Sequence, residues 1–153
     1  MDPITLTPVA TVVGGRVEAE DDRWLSVEAT IVLDDRFPED ALQGLDAFSH
    51  LEVVFVFHQV DEAGVTTAAR HPRGQQHLPA VGIFAQRARN RPNRLGVSVC
   101  ELVALEGRTL RVRGLDAIDG TPVLDIKPVI TAMRPPGEVR EPAWVAEIMA
   151  DYW

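Results

Sequence analysis

The sequence predicts a compact single-domain β-barrel with a few short helices, an all-β to α+β fold that is not a Rossmann sheet. Three observations support this prediction. Many short apolar or alternating segments, typical of strands, are separated by glycine-containing turns. Only two short segments have helical character. No strand leads through a glycine-rich turn into a helix, because Gly14-Gly15 is followed by Arg16-Val17-Glu18 without a helical pattern. The 153 residues suit one domain spanning 1–153.

The first half of the chain contains three predicted strands and one short helix. Residues 4–13 and 24–33 alternate between apolar and polar positions, as strands with one buried face do. Residues 37–44 begin with a proline and acidic residues and end on a glycine, which predicts a helix of at most two turns. Residues 51–58 are almost entirely β-branched or aromatic, so we expect a strand buried on both faces.

The second half continues the strand pattern and ends in a helix. Further strands are predicted at 81–86, 95–105, 109–115 and 122–130. A C-terminal helix is predicted at about 142–152, since a proline can occupy its first turn and large apolar residues recur every four positions after it. The recurring residues predict a packing face.

Charge is unevenly distributed along the chain. The formal net charge is -8, yet residues 63–100 contain no acidic residue and carry six arginines, so the remainder carries -14. This segregation predicts an anion-facing surface on an acidic protein, and the alternative is a solvated loop. The six arginines are Arg70, Arg73, Arg87, Arg89, Arg91 and Arg94.

The remaining composition narrows the function classes. The single cysteine, Cys100, lies in an apolar run without a flanking basic group, which favours a buried structural thiol over a nucleophile. The four histidines lack metal-ligand spacing, so no metal site is expected. We expect a cytoplasmic protein, because no secretory leader or membrane-spanning stretch is visible.

Three dense motifs carry the functional information. They are Phe48-Ser49-His50-Leu51 leading to Phe57-His58-Gln59, then the segment 82–96 containing Arg91-Pro92-Asn93, then the segment 115–128 containing Asp119-Gly120-Thr121-Pro122. In this order they resemble the TsaA-like (TrmO) family, whose best-known members N6-methylate an adenosine beside the tRNA anticodon. The resemblance covers about residues 41–130.

The resemblance implies a TsaA-like β-barrel that binds S-adenosyl-L-methionine near a homodimer interface. Arg87 is expected to pair with the methionyl carboxylate, and Asp116 or Asp119 with the ribose hydroxyls or the α-ammonium group. The positions that match the cofactor pocket are His58, Gln59, Arg87, Leu95, Asp116, Ala117, Ile118 and Asp119.

The same resemblance suggests tRNA as the methyl acceptor. Its candidate contacts are Arg89, Arg91, Asn93 and Arg94, although Arg91-Pro92-Asn93 also suits a simple turn. Two other functions stay open: a sensor that binds S-adenosyl-L-methionine without turnover, and a methyltransferase for a small metabolite. No catalytic residue is assigned. Lys127, the only lysine, is expected to form an ion pair with Asp125 or Asp116, or else to contact the substrate.

The sequence departs from the family pattern in two places, so the resemblance supports cofactor binding more strongly than it supports the identity of the substrate. The PRQPG-like segment that many members carry before the first core strands is replaced by Asp21-Asp22-Arg23-Trp24. The further C-terminal domain of longer tRNA-modifying relatives is not found in these 153 residues.

Overall fold

The computed structural model describes residues 2–153, and eight strands organise that part of the chain. The strands are β1 (Ala10–Val13), β2 (Glu28–Leu33), β3 (His50–Val56), β4 (Ala69–Arg70), β5 (Val81–Gly82), β6 (Leu95–Glu106), β7 (Thr109–Arg113) and β8 (Pro122–Pro128). The α-helix α1 spans Trp144–Ile148, and short 3-10 helices occupy several loops. The sequence predicted seven of these eight strands in the right order, although their ends differ, and did not predict β4.

Six of the strands close into an antiparallel barrel. Their order around the barrel is β1-β2-β7-β6-β3-β8, while β4 and β5 form a separate two-stranded sheet. The longest seam joins β3 to β6, from His50 with Glu101 to Val56 with Leu95. The seam that closes the barrel, between β1 and β8, consists of two residue pairs, Ala10 with Val123 and Thr11 with Pro122. The predicted barrel is confirmed.

Alternating side chains of these strands fill the barrel interior. Ile31, Leu51, Val53, Phe55 and Leu110 are each at most 1% exposed, and each such side chain contributes about 1.5–3 kcal/mol by leaving water. Cys100 belongs to the same core. Burial raises the pKa of its thiol to about 12, which confirms the structural thiol over the nucleophile.

Phe55 also explains a glycine in the facing strand. Gly96 pairs directly with Phe55 across β3 and β6. A Cβ atom at Gly96 would lie 2.4 Å from Cε2 of the Phe55 ring. Only glycine lets the ring lie flat against β6 at this point.

Several predicted boundaries were wrong, each for a local reason. Residues 51–58 were expected to be buried on both faces, but in β3 buried and half-exposed residues alternate because the outer face of a single barrel is not covered by a second layer. Residues 81–86 form only two residues of strand before a 3-10 helix at Ile83–Ala85. The helix predicted over residues 37–44 is a 3-10 helix at Glu39–Leu42 only, and Gly44, with φ 82°, separates it from a further 3-10 helix at Leu45–Ala47.

The first two strands and the C-terminal helix are also shorter than predicted. The strands expected at 4–13 and 24–33 begin only at Ala10 and Glu28. The helix expected at 142–152 covers only five residues, Trp144–Ile148, and the chain continues through turns to residue 153. No helix in residues 2–153 has both the length and the apolar character needed to cross a membrane.

The barrel has two ends with different contents. We call the site rim the end where β1, β3 and β7 finish and β2, β6 and β8 begin, together with its loops at 14–27, 57–94 and 114–121. The opposite rim holds the other strand ends and the loops at 34–49 and 107–108. Lys127 lies on the outer wall, about half exposed, in an ion pair with Asp125, one of its two predicted partners.

Candidate functional site

The site rim gathers all eight residues that the sequence matched to a cofactor pocket. His58 and Gln59 follow the end of β3, Leu95 opens β6, and residues 116–119 follow β7. Leu95 is paired with Val56, which brings the β3 and β6 ends together. Antiparallel pairing therefore places segments far apart in sequence at one end of the barrel.

Asp116 has the most distinctive environment of the eight. Its Oδ2 atom accepts a hydrogen bond from the hydroxyl of Tyr152. Its Oδ1 atom is buried and has no hydrogen-bond partner among residues 2–153. Burial raises the pKa of the Asp116 carboxyl, while the nearby Ser98 hydroxyl, the hydrogen bond from Tyr152 and the charge of Arg87 act in the opposite direction. A buried carboxylate oxygen without a donor is costly, so this atom is suited to a ligand that brings one.

His58 provides a second buried polar atom without a partner. Its Nδ1 atom has none within the described chain. Its Nε2 atom lies 3.8 Å from the position that a Cβ atom would take at Gly120, so the imidazole packs against the turn between β7 and β8. Two loops thus each direct an unsatisfied polar atom into the same rim.

Asp119 fastens that turn to the first strand. Its Oδ1 atom accepts a hydrogen bond of 2.7 Å from the backbone of Gly14, and its own N–H donates to the carbonyl of Arg16 at 2.7 Å. Gly120 has φ 77°, as the predicted tight turn requires. Ala117 and Ile118 are 3% and 8% exposed. The side chains of Ala117 and Ile118 form an apolar wall of the site, and the hydrogen bonds of Asp119 make the turn rigid.

Arg87 and Gln59 are exposed on the rim. One guanidinium nitrogen of Arg87 donates to the carbonyl of Val97 at 2.5 Å, in the part of β6 before its pairing with β7 begins. A guanidinium carries five N–H donors, so this anchor leaves donors for an anionic ligand group. Arg87 is also near enough to Asp116 to favour its charged form.

The arginines predicted to contact the substrate also brace loops. Arg89, Arg91 and Arg94 each donate to a backbone carbonyl, of Ala19, Gln86 and Val60 respectively, at 2.7–2.9 Å. Asn93 is exposed and has φ 62°, so the segment Arg91-Pro92-Asn93 does form the turn that was its alternative interpretation. A carbonyl does not neutralise a guanidinium, and these charges stay available at the rim.

Arg73 differs from the other arginines of the basic segment. Its two terminal nitrogens donate to both carboxylate oxygens of Asp22, at 2.9 and 2.7 Å. This bidentate pair lowers the pKa of Asp22 and compensates the charge of Arg73. Arg73 therefore contributes less to an anion-facing surface than the sequence suggested.

Sequence reasoning missed the contribution of the C-terminal tail, defined here as residues 144–153. The backbone carbonyls of Asp151 and Tyr152 accept hydrogen bonds from the N–H groups of Arg23 and Trp24, at 2.8 and 2.9 Å. This contact places the Tyr152 hydroxyl against Asp116. The recurrence of aromatic residues predicted packing only. Tyr152 is the single tyrosine of the chain, and its polar end was the available signal.

A different concavity lies at the opposite rim. It measures about 400 Å³, contains three acidic side chains and no basic one, and is lined by Glu39, Asp40, Leu42, Gln43, Gly44, Asp46, Leu105 and Gly107. Leu105 is seven residues along β6 from Ser98, or about 23 Å at the usual rise of a strand. The hollow is therefore separate from the group around Asp116.

The chain was compared with known proteins. Residues 21–133 match the family model described as the tRNA-methyltransferase O N-terminal domain. A human tRNA (adenine(37)-N6)-methyltransferase is 39% identical over 105 residues, covering 69% of this chain and 23% of that protein. A probable S-adenosyl-L-methionine-binding protein of Methanothermobacter thermautotrophicus is 44% identical over 108 residues, covering 69% of this chain and 72% of the relative.

Solved structures agree with these sequence relatives. The crystal structure of TrmO from Pseudomonas aeruginosa superposes with a TM-score of 0.73 at 30% sequence identity, covering 91% of this chain and 62% of that one. The chain thus spans about a quarter of the human relative it matches and under two thirds of the P. aeruginosa protein.

Proposed function

The chain belongs to the family of tRNA-methyltransferase O N-terminal domains, and from that premise we propose that it is an S-adenosyl-L-methionine-dependent methyltransferase acting on N6 of an adenosine near the tRNA anticodon. The observation that carries the proposal is that two of the three buried, unpartnered polar atoms of residues 2–153, Nδ1 of His58 and Oδ1 of Asp116, belong to the motif segments, while the third is Oε1 of Gln75. His58 and Asp116 are both positions that the family motifs match. A polar ligand would satisfy both atoms.

The residues of the site rim fit the chemical groups of the cofactor. Arg87 would hold the methionyl carboxylate as a fork, and Asp116 would accept hydrogen bonds from the α-ammonium or the ribose hydroxyls. Leu95, Ala117 and Ile118 would contact apolar parts, while His58, Gln59 and Asp119 would supply the polar boundary. When bound, the cofactor supplies an electrophilic methyl group on a sulfonium.

The protein's own contribution to such a reaction is to orient the bound ligand and to exclude water from the site. The loops of the rim are tied to one another by the Asp119–Gly14 and Arg89–Ala19 hydrogen bonds, so they present ligand-binding groups with little freedom left to lose. Buried walls at Ala117 and Ile118 exclude water from one side of the site. Both effects favour an in-line displacement over hydrolysis.

The basic loop would receive the acceptor. Arg89, Arg91, Asn93 and Arg94 lie in the loop before β6 and next to Arg87 in the chain, so a bound RNA loop would meet the cofactor at the same rim. We extend the proposal to a cytoplasmic homodimer in which two such loops form one surface. Light scattering at micromolar concentration tests the dimer, and a monomer would contradict it.

The cofactor is tested by calorimetry with S-adenosyl-L-methionine and S-adenosylhomocysteine. Arg87→Ala should weaken binding by about 1.5–3 kcal/mol, roughly ten- to a hundredfold, because a charge-assisted pair is lost. Arg111→Ala is the matched control, since Arg111 is an exposed arginine on the outer wall of β7 and should leave the affinity unchanged. Absence of binding heat with both ligands at millimolar concentration would refute the proposal that the protein binds this cofactor.

The acceptor is tested in a strain that lacks the gene. Mass spectrometry of its bulk tRNA should show loss of an N6-methylated adenosine derivative, and plasmid-borne wild-type protein should restore it. An Arg87→Ala plasmid should restore less. An unchanged modification profile would exclude tRNA while leaving cofactor binding intact.

A second function is favoured by one comparison. The relative from M. thermautotrophicus, of which this chain covers 72%, is named only as a probable S-adenosyl-L-methionine-binding protein. A binding module without turnover would use the same rim. Purified protein incubated with cofactor and unmodified tRNA distinguishes the two, because only the enzyme releases S-adenosylhomocysteine.

A further inference from the structure

The C-terminal tail is the part of the molecule whose role the family match leaves open. The matched residues end at 133, whereas the tail begins at residue 144 and returns to the site rim. Two groups of contacts hold the tail there. His77 pairs with Glu147 at 2.6 Å, and the backbone of residues 151–152 pairs with Arg23 and Trp24.

The two last side chains of the tail pack on the rim itself. Trp153 lies 3.7 Å from the position of a Cβ atom at Gly114, and its ring meets the Tyr152 ring edge-on at a centroid distance of 4.8 Å. Tyr152 is partly buried, and its hydroxyl donates to Oδ2 of Asp116. The Tyr152 side chain therefore has one rotamer fixed by packing and one polar atom fixed by Asp116.

We propose that Tyr152 is a positioning residue of the cofactor site, which fixes the Asp116 carboxylate by its Oδ2 atom so that the buried Oδ1 atom is left to accept a hydrogen bond from the ligand. This inference rests on the proposed function. A carboxylate held at one oxygen cannot rotate freely, so the other oxygen is oriented before the ligand arrives. The tail thus completes from the same chain a site whose matched positions lie in the barrel.

Charge around Asp116 agrees with this role. Arg87 and Cys100 face Asp116, and Arg73 and Arg87 lie near Tyr152. The Tyr152 hydroxyl lowers the pKa of Asp116 against the opposing effect of burial. Without that hydroxyl the carboxylate would become protonated at a higher pH, and a protonated Asp116 attracts an ammonium group less.

The test is calorimetry of S-adenosylhomocysteine binding between pH 4 and pH 8 with wild type, Tyr152→Phe, Asp116→Asn and the double variant. Tyr152→Phe keeps the ring and should weaken binding about three- to tenfold at pH 7. It should also raise the pH below which binding is lost. In the Asp116→Asn background, Tyr152→Phe should have no further effect on affinity.

Glu147→Gln is the matched control for the tail. It removes the pair with His77 but touches no residue of the site, so it should leave affinity and pH midpoint as in wild type. A Tyr152→Phe variant with wild-type affinity and midpoint would overturn the positioning role while the proposed function stands. Additive losses in the double variant would also overturn it. Failure of the wild type to bind would overturn the proposed function and this inference with it.

Discussion

The two rims of the barrel are built from the same strands and carry opposite chemistry. At the site rim, arginines are tied to backbone carbonyls, and three buried polar atoms, on His58, Gln75 and Asp116, have no partner in residues 2–153. At the opposite rim, a hollow of about 400 Å³ is lined by Glu39, Asp40 and Asp46. An anionic ligand is attracted to the first and repelled by the second. A barrel therefore fixes where loops emerge, and the loops alone decide what each end binds.

Glycine replacement offers the largest expected contrast between the rims. Gly96→Ala should lower the free energy of unfolding by about 2–3 kcal/mol, because its methyl group would lie 2.4 Å from Cε2 of the buried Phe55 ring. Gly107→Ala at the opposite rim meets only the Glu39 carboxylate at 3.8 Å and should cost about 1 kcal/mol for its positive φ. Urea denaturation measures both, and equal losses would contradict the packing argument.

Charge removal tests whether the basic loop is an RNA surface. Arg89→Gln should weaken tRNA binding about fivefold at 100 mM salt and reduce the slope of log K against log[salt] by about 0.7–0.9, as expected for one lost phosphate contact. Arg111→Gln, on the outer wall of β7, should change neither quantity. Filter binding over a salt series provides the measurement. A salt-independent affinity in the wild type would refute the surface.

The smallest expected effect concerns Asp116 in the unliganded protein. Burial raises the pKa of the Asp116 carboxyl, so the folded protein favours the protonated form. The contribution of this group to stability is therefore complete below the unfolded pKa of about 4, and it is lost as the pH rises through the folded pKa. Asp116→Asn should therefore raise the unfolding free energy at pH 7 by about 1 kcal/mol, since an unsatisfied buried charge is removed. The gain should vanish below about pH 4.

Asp46→Asn is the control at the opposite rim. Asp46 is exposed, so its replacement should leave the melting temperature unchanged at every pH. Melting curves with saturating S-adenosyl-L-methionine complete the comparison, because the wild type should gain more from the ligand than Asp116→Asn does. A stabler unliganded variant with undiminished ligand binding would contradict the assignment of Asp116 to the site.

The sequence predicted the barrel and the order of its strands, because alternation and turn residues are local signals. It also assigned the candidate site to the dense motifs around His58, Arg87 and Asp116, and the structure brings these segments together at one rim. It did not predict that β3 has one half-exposed face, since apolar content alone does not reveal the absence of a second layer. It also missed the contact of Tyr152 with Asp116, which joins residues 36 positions apart, because the periodicity of the tail indicates a packing face and not the partner of a single hydroxyl. Arg73 and Asp22, 51 positions apart, form a pair of the same kind.

The short seam between β1 and β8 has a consequence for the order of assembly during translation. Residues 10–11 must wait for residues 122–123 before the barrel can close, which at roughly 5–20 residues per second leaves one edge of β1 open for several seconds. The hydrogen bond from Gly14 to Asp119 spans a similar gap, of 105 residues. The candidate site is therefore among the last features to form as the nascent chain folds, and a ligand that binds there would select molecules whose barrel has already closed.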